Sequence, residues 1–244
     1  MSSNDFAYVG TELDLFAQAE NWKEYFGKFL RRRISGRVLE VGAGIGGTTR
    51  VLWNEKVERW VCLEPDAQLH GQLQAQAERG ELPAECEVRL GTLADLSEAE
   101  EFQTILYIDV LEHIEDDQGE VERAARHLAA GGHLIVLAPA HNWLFSPFDG
   151  AVGHFRRYNR PSLSRLGVAG LVPVAARYFD SVGMLASLAN KALLRSASPT
   201  LAQIRLWDRV LVPCSRVLDP VLGHSLGKTV VVIWQRQSGA STSG

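Results

Sequence analysis

The chain has little cysteine and no long apolar run. Its 244 residues include three cysteines, Cys62, Cys86 and Cys214, and none of them belongs to a C-x-x-C pair. We therefore predict free thiols in a reducing compartment and neither a disulfide framework nor a metal site. A membrane-spanning helix needs about 20 consecutive apolar residues, and no such run is present. The N-terminal residues lack the basic and apolar regions of a signal peptide, so we expect a cytoplasmic protein.

The chain also lacks an excess of positive charge. It carries 25 Lys and Arg residues against 29 Asp and Glu residues, a net charge of −4, and the basic residues are scattered. Nucleic-acid-binding proteins concentrate basic side chains on one surface, so we predict no nucleic-acid partner. With 46% hydrophobic residues, the chain suits one α/β domain with a full core. Residues 237–244 are small and polar, which predicts a disordered tail.

Short apolar segments alternate with helix-compatible segments over most of the chain. Between the strands we predict helices, including a short acidic helix after Ser97 and a helix that reaches Ala130 and stops at Gly131 and Gly132. Alternating strands and helices indicate a mostly parallel sheet, with the carboxyl ends of its strands at one edge. The predicted strands are 37–41, 60–63, 85–90, 104–108 and 134–138.

A glycine-rich loop follows the first strand. Residues 38–49 read V-L-E-V-G-A-G-I-G-G-T-T, and such a turn brings backbone N–H groups to a nucleotide-like ligand at a helix start. Glu40 lies in the apolar strand, where an acid without a partner is costly. A carboxylate there suits a cationic ligand better than a pyrophosphate. Because Gly42, Gly44 and Gly47 also satisfy G-x-G-x-x-G, the loop alone leaves dinucleotide binding open.

Two further acids end predicted strands. Glu64 closes the second strand, where a carboxylate can accept both hydroxyls of a ribose. Pro65 then stops the strand, and Asp66 can cap the helix that follows. Asp109 closes the fourth strand, although an acid at this position can also serve only to cap the next turn.

Four segments together resemble the class I S-adenosylmethionine-dependent methyltransferases, especially bacterial small-molecule enzymes such as those of quinone biosynthesis. The resemblance covers roughly residues 20–180, with the segments in the family's order and spacing. It implies an α/β, Rossmann-like fold with a seven-stranded, mostly parallel sheet, an antiparallel last strand at 228–236 and helices on both faces. Strand six would lie at about 174–180. The four segments are residues 38–46, 63–66, 107–114 and 131–135.

The resemblance also implies the cofactor and its contacts. The methyl donor would be S-adenosyl-L-methionine, which becomes S-adenosyl-L-homocysteine. Glu40 would lie near its methionine amine, Glu64 on the ribose hydroxyls, and Asp109 beside the methionyl end. The cofactor-binding residues implied by the resemblance are Glu40, Gly42, Gly44, Gly46, Glu64, Pro65, Thr92, Leu93, Asp109 and Val110.

The adenine contact departs from the family pattern. Many relatives end strand three with an Asp that accepts a hydrogen bond from the adenine amino group. This chain has Gly91, Thr92 and Leu93 there. Thr92 can accept one such bond, and Asp95 is the alternative acceptor.

Residues 139–160 form a long aromatic and polar segment after strand five. Such a loop at the ligand-binding edge is typical of a substrate lid. Within it, Arg156 and Arg157 could bind a carboxylate or phosphate of the substrate. The alternative is that one of them pairs with Asp149 and only positions the loop, and we expect one arginine in each role.

Catalysis requires a general base only if the methyl acceptor must lose a proton. His154 is the first candidate, followed by His141, because the pKa of histidine suits proton transfer near neutral pH. Tyr158 is a further candidate. His113 is expected to face the substrate.

Two helical regions flank the predicted methyltransferase domain, residues 37–236. Residues 1–36 would form a cover that packs on the sheet. Tyr25 would either serve only this packing or help to close the cofactor pocket and bind the substrate. Residues 181–227 are an insertion before the last strand, and we predict that it covers the cleft or forms a dimer face. A membrane surface or a lipid-linked substrate is the less favoured alternative. One helical face of the insertion, which Pro213 is expected to kink, would carry Leu201, Ile204, Trp207, Leu211 and Leu218.

These features favour a methyltransferase that acts on a small molecule, either anionic or lipid-linked, by in-line displacement, as a monomer or a homodimer. A nicotinamide-dependent oxidoreductase is one alternative, against which the segment 109–114 argues. The other is a protein of this fold that binds the cofactor without methyl transfer. The atom that receives the methyl group is not specified by any of these motifs.

Overall fold

A seven-stranded sheet organises the molecule, and the computed structural model describes residues 16–189 and 200–238. The spatial order of the strands is β3-β2-β1-β4-β5-β7-β6, with β7 antiparallel to both of its neighbours. The predicted mostly parallel sheet with an antiparallel last strand is therefore confirmed. The strands are β1 (Gly36–Val41), β2 (Val57–Glu64), β3 (Cys86–Leu90), β4 (Phe102–Ile108), β5 (Leu128–Pro139), β6 (Leu171–Phe179) and β7 (Thr229–Arg236).

Helices connect the strands and cover both faces of the sheet. A π turn, Trp207–Leu211, separates the last two helices, and short 3₁₀ turns follow β3, β4 and β5. The helices are α1 (Glu20–Leu30), α2 (Gly47–Leu52), α3 (Ala67–Glu78), α4 (Asp117–Arg126), α5 (Pro147–Ala151), α6 (Arg160–Ser164), α7 (Ser181–Ala189), α8 (Leu201–Leu206) and α9 (Val212–Val221).

Alternation of side chains along the strands builds two cores. Leu39 and Val41 of β1 pack on one face with α4 and α6. Val38 of the same strand packs on the opposite face with α1, α2 and α3. Because successive strand residues point to opposite faces, Glu40 shares the second face with Val38. This placement buries the carboxyl group of Glu40 beneath the first two helices.

Several polar residues and glycines lie together at one edge of the sheet. The carboxyl ends of the parallel strands meet there, and β7, which runs the other way, begins there. In open α/β sheets this edge is where ligands bind. Gly42 follows β1 at this edge, Gly91 follows β3 and Asp109 follows β4. His141 lies just after β5, Asp180 follows β6, and Lys228 precedes β7.

Two helix predictions were wrong. The segment after Ser97 makes only a turn, because β4 begins at Phe102 and leaves no room for a helix. Gly131 and Gly132 do not stop a helix but lie within β5, where the register against β4 shifts. A Cβ on Gly132 would lie 2.9 Å from the backbone oxygen of Gln103, so this pair serves the close approach of two strands rather than a helix end.

The π turn displaces the buried face of the insertion by one position. Ile204 and Trp207 are buried as predicted, but beyond the turn the buried residues are Val212, Ser215 and Asp219. A π turn adds one residue to a helical turn, which moves every following residue around the axis. Leu218, predicted to be on the inner face, is instead 42% exposed. Pro213 stands at the start of α9, directly after this turn.

Parts of the predicted cover, insertion and tail lie outside the described residues. These parts are residues 1–15, 190–199 and 239–244, so the disordered tail stays a prediction. Over the residues that are described, no helix is both long enough and apolar enough to cross a membrane.

Candidate functional site

The glycine-rich loop joins β1 to α2 with three left-handed residues. Gly42, Gly44 and Gly46 have φ of 68°, 55° and 70°. A Cβ on Gly42 would lie 2.7 Å from the side chain of Val110, which closes the loop from the side of β4. The amide of Gly42 donates to the carbonyl of Leu63 at 2.8 Å. The loop is therefore fixed against both neighbouring strands at the ligand-binding edge.

Glu40 holds this loop in place from below. Its carboxylate accepts hydrogen bonds from the Thr49 hydroxyl at 2.5 Å and from the Trp60 indole at 2.9 Å. Burial raises the pKa of Glu40 to about 7, although both hydrogen bonds act in the opposite direction. The carboxyl group thus connects α2 to β1 and β2. Its predicted contact with a cofactor amine stays a prediction.

Glu64 ends β2 beside the loop. Its two oxygens accept hydrogen bonds from the amides of Gly44 at 2.8 Å and Asp66 at 3.0 Å. Burial raises the pKa of Glu64. A carboxylate has about four acceptor positions, so two remain for ligand hydroxyls. Pro65 lies between Glu64 and Asp66, whose carboxylate caps α3 by accepting from two amides.

The turn after β3 brings the carboxylate of Asp95 back to the end of the strand. Its carboxylate accepts from the backbone amide of Thr92 at 2.8 Å and from the Thr92 hydroxyl at 3.0 Å. A Cβ on Gly91 would lie 2.8 Å from the same carboxylate. Leu93, predicted as a cofactor contact, buries its side chain in the core. The adenine contact expected of Thr92 or Asp95 stays a prediction.

Asp109 ends β4 in a left-handed conformation, with φ of 53°. Its side chain is solvent-exposed, yet surrounding protein atoms desolvate it and raise its pKa to about 6. His141 after β5 and Asp180 after β6 are left-handed as well. Strained backbone of this kind is costly and concentrates at functional sites. The strain at these three strand ends thus coincides with the ligand-binding edge.

Lys23 lies close to the start of α2, a position that the sequence patterns did not reveal. It extends from α1, and a Cβ on Gly47, the first residue of α2, would lie 2.8 Å from its ammonium group. The ammonium donates to the carbonyl of Ala17, and burial lowers its pKa. No local motif signals this residue, because its proximity to α2 arises only when the cover packs on the sheet.

Asp149 organises the loop after β5. It is fully buried and accepts a two-point ion pair from Arg157, with Nε at 2.7 Å and Nη2 at 2.9 Å. It also accepts from Ser146 and lies 2.9 Å from Nδ1 of His154. These donors hold the pKa of Asp149 well below its usual range. Arg157 therefore positions the loop. This is the structural role that the sequence analysis expected for one of the two arginines.

Arg156 and Tyr158 point away from Asp149 toward α4. Nη1 of Arg156 lies 2.6 Å from the carboxylate of Asp117, and the Tyr158 hydroxyl donates to the same carboxylate at 2.8 Å. Tyr158 is buried, and burial raises the pKa of its hydroxyl far above the usual range. These contacts favour a structural role for Tyr158.

His141 is held between two aromatic rings. It stacks on Trp143 at 5.3 Å and on Tyr178 at 4.8 Å between ring centroids. Burial lowers the pKa of the His141 ring. Its Nε2 is buried and has no hydrogen-bond partner among the described residues.

Tyr25 serves the packing of the cover. Its hydroxyl donates to Asp219 of α9 at 2.8 Å, and Asp219 also accepts from the amide and hydroxyl of Ser181. Tyr25 thus links α1 to the insertion, and its predicted substrate contact stays a prediction.

Glu112, His113 and His154 form a compact cluster between the turn after β4 and the loop after α5. The His113 and His154 rings meet edge to face with centroids 4.5 Å apart. Nε2 of His154 lies 3.9 Å from Oε1 of Glu112. From the sequence, His113 was assigned to the substrate side and His154 to the role of general base, and Glu112 was not singled out.

Comparisons with known proteins agree with this architecture. A family model described as a methyltransferase domain matches residues 14–186. No curated protein sequence matches the chain.

Solved structures of similar fold include proteins with different named activities. YcgJ from Bacillus subtilis has a TM-score of 0.58 at 15% identity, covering 88% of this chain and 99% of its own. The N-methyltransferase NodS from Bradyrhizobium japonicum, solved with S-adenosyl-L-homocysteine, has a TM-score of 0.57 at 14% identity, covering 90% and 88%. The [4+2]-cyclase SpnF has a TM-score of 0.61 at 14% identity, covering 95% and 96%.

At these identities the structural neighbours show the fold alone, whereas the family model spans more than half of the chain. Together with the glycine-rich loop, the acid that ends β2 and the sheet order, that match identifies the family. The chain belongs to the methyltransferase-domain family and has the fold of the class I S-adenosylmethionine-dependent methyltransferases.

Proposed function

We propose that this protein transfers a methyl group from S-adenosyl-L-methionine to a small molecule. The observation that carries the proposal is the arrangement of acids around the glycine-rich loop. Glu64 and Asp109 lie on either side of it with acceptor oxygens still available, and Glu40 lies behind it. A ligand with a ribose and a positive charge fits this set better than a pyrophosphate does.

Each part of the cofactor has a candidate partner in the chain. Glu64 would hold the ribose hydroxyls with its remaining acceptor positions. Asp95, beside Gly91, would accept from the adenine amino group, with Thr92 as the alternative. Lys23, close to the start of α2, would bind the methionine carboxylate, since cations attract carboxylates strongly in a partly desolvated site.

Val110 and the loop glycines would form the wall against which the cofactor lies. Gly42 and Gly46 leave no space for a Cβ on the protein side, because Val110 and Leu73 fill it. The backbone of the loop can therefore approach the ligand without a side chain between them.

The bound cofactor supplies a methyl group on a positively charged sulfur. The protein's contribution is to hold the acceptor in line with it, which can lower the barrier by roughly 7–11 kcal/mol. Where the acceptor must lose a proton, His154 is the candidate base because Asp149 orients its Nδ1, and such catalysis adds about 10²–10⁴-fold. His141 is the second candidate, through its unpartnered Nε2.

The acceptor side lies between the cover and the loop after β5. The ammonium of Lys228 lies 3.7 Å from the centroid of the Trp207 ring and 3.4 Å from Asp180. Phe16 packs on Trp207 and on Phe148 of the loop. Of the two arginines of the loop, Arg157 is fixed by the buried Asp149, whereas Arg156 is paired with Asp117. Arg156 is the one proposed to bind a substrate anion, which requires its pair with Asp117 to open.

Calorimetric titration with S-adenosyl-L-homocysteine tests the cofactor assignment. We expect a single site, and Glu64→Ala should weaken binding about 10-fold or more, since a hydrogen bond to a charged group contributes about 1.5–3 kcal/mol. Glu81→Ala, which removes an exposed acid paired only with Arg79, is the control and should bind like the wild type. Absence of binding by the wild type would contradict the proposal.

A second candidate function is a reaction other than methyl transfer on the same fold. This candidate rests on the similarity in fold to SpnF, which is named as a [4+2]-cyclase. A mass-based screen of methyl acceptors in the presence of S-adenosyl-L-methionine separates the two. Formation of S-adenosyl-L-homocysteine together with a product heavier by one methylene supports the transferase, whereas cofactor binding without turnover of any acceptor supports the alternative.

A further inference from the structure

Three side chains with metal-binding atoms converge outside the proposed cofactor contacts. Glu112 and His113 lie on the turn that follows β4, and His154 lies in the loop after α5. Their potential ligand atoms, one from each residue, all lie within 4.8 Å of one another. Residues from two separate segments are thus brought together at the ligand-binding edge of the sheet.

Glu112 is the independent sign that something is bound between them. Its side chain is fully buried, and neither carboxylate oxygen has a hydrogen-bond partner from another described residue. Burying a carboxylate without a partner is costly, and such groups normally pair with a cation or coordinate a metal. The nearest cationic candidate is Nε2 of His154, which at 3.9 Å from Oε1 is beyond hydrogen-bond distance.

Both histidines are oriented as metal ligands are. Nδ1 of His154 is bonded to the carboxylate of Asp149, which leaves Nε2 directed toward Glu112. His113 is bonded to the backbone of Val152. Metal-binding histidines characteristically bond their second nitrogen to a carboxylate or a backbone carbonyl in this way.

The spacing is compatible with one ion. Two ligand atoms that are each about 2.1 Å from an ion lie at most about 4.2 Å apart. The 3.9 Å between Glu112 and His154 falls inside that limit, and the widest pair, within 4.8 Å, needs a movement of less than about 1 Å. Small rotations of the two imidazole rings supply it.

We propose that Glu112, His113 and His154 bind a divalent transition-metal ion, with Asp149 as the residue that positions His154. Two imidazoles and one carboxylate suit Zn²⁺, Mn²⁺ or Fe²⁺ and disfavour Mg²⁺ and Ca²⁺, which prefer oxygen ligands. Three protein ligands leave at least one position for water or for an oxygen atom of a bound molecule. The ion would take the nitrogen with which His154 would act as a base, so the two roles exclude each other.

The site explains the charge balance of the loop. Asp109, Glu112 and Asp149 face the cluster from β4, its following turn and α5, against Arg157 and the more distant Lys228. Arg157 is already committed to Asp149. A divalent cation at Glu112 would balance the remaining acids.

Calorimetry on the metal-stripped full chain tests the proposal. ZnCl₂, MnCl₂ and MgCl₂ are titrated separately, and we expect one site that binds Zn²⁺ and Mn²⁺ more tightly than Mg²⁺. Glu112→Gln, His113→Ala and His154→Ala should each weaken Zn²⁺ binding at least about 10-fold, and Asp149→Asn about 10–100-fold through His154. His70→Ala on α3 is the matched histidine control and should bind like the wild type.

Two further measurements keep the result independent of folding and of methyl transfer. Co²⁺ should give visible absorption bands with the wild type that are lost in Glu112→Gln. Titration with S-adenosyl-L-homocysteine should give the same affinity for Glu112→Gln and the wild type, which shows that the variant is folded. Zn²⁺ binding that is absent from the wild type, or unchanged in Glu112→Gln, overturns the metal site and leaves the cofactor assignment untouched.

Discussion

Glu40 is a carboxyl group enclosed by β1, β2 and α2, and its environment makes stability depend on pH. Burial raises its pKa in the folded protein to about 7 from an ordinary value of 4.5. The folded state therefore binds a proton that the unfolded state has released between these two pH values. The stability contributed by Glu40 is fully present below about pH 4.5 and is lost as the pH rises through about 7.

We expect this loss to be about 3 kcal/mol, since one pKa unit corresponds to about 1.36 kcal/mol. Glu40→Gln keeps an acceptor for Thr49 and Trp60 but cannot titrate. Urea unfolding of both cofactor-free proteins from pH 4.5 to 8 should show the stability of the wild type falling relative to Glu40→Gln. A difference that stays constant with pH would show that Glu40 does not titrate in this range.

Substituting alanine for Gly42 tests the glycine-rich loop as the cofactor site, and the same substitution at Gly80 is a control with a similar backbone conformation. Both have left-handed φ, of 68° and 70°, so alanine at either should cost about 1–2 kcal/mol of stability. Only at Gly42 would the added Cβ overlap another side chain, Val110, whereas Gly80 has open space. Gly42→Ala should therefore destabilise the protein more than Gly80→Ala does, and it alone should weaken S-adenosyl-L-homocysteine binding. Equal effects of the two variants on binding would count against the loop as the cofactor site.

Helix α1 depends on a residue far away in the sequence. No side chain at its own N-cap position caps it. Instead, Asp208 of the π turn accepts from the amide of Trp22 at 2.9 Å and from the amide and side chain of Asn21. The cover and the insertion are joined through this cap, which complements the positive end of the helix.

Asp208→Ala should lower the free energy of unfolding by about 1–2 kcal/mol, because three donors lose their acceptor and N-cap substitutions of this kind cost that much. Urea unfolding is the measurement, with Glu98→Ala, an exposed acid in a turn, as control. A variant as stable as the wild type would mean that water replaces Asp208 at this helix end.

The sequence predicted those elements whose structure depends on residues that are neighbours in the chain. The strand–loop–helix at Gly42, the cap at Asp66 and the acids at strand ends follow from residues close together in sequence. The bulge at Gly131 was missed because glycine pairs serve helix ends and strand irregularities equally well. The displaced face of α9 was missed because a π turn leaves no clear signature in the pattern of apolar residues.

At the scale of the whole molecule, the sheet and its ligand-binding edge could be predicted, but the pairing of charges across it could not. Asp149, Arg157 and His154 meet through a loop whose path depends on packing against α4. Lys23 reaches the start of α2 only because the cover folds back over the sheet. Such contacts join segments far apart in sequence, so no spacing rule reveals them.

The insertion gives the molecule an unusual surface. Among its described residues, nine large apolar side chains are more than about one third exposed, in contrast to the inner faces of α8 and α9. They lie among Arg205, Arg209 and Arg216. From the sequence, the insertion is predicted to cover the cleft or to form a dimer face, and a membrane surface or a lipid-linked substrate is the less favoured alternative. The exposed residues are Leu185, Leu188, Leu206, Val210, Val217, Leu218, Val221, Leu222 and Leu226.

The position of β7 between β5 and β6 governs when the sheet can be completed. As the chain leaves the ribosome, β5 can pair with β4, but β6 has no neighbouring strand until Thr229–Arg236 has been made. Until then the free edge of β5 and all of β6 expose unpaired backbone groups, which invite wrong pairing. The sheet is therefore completed only after β7 has been translated, although β7 lies between two strands that precede it in the chain.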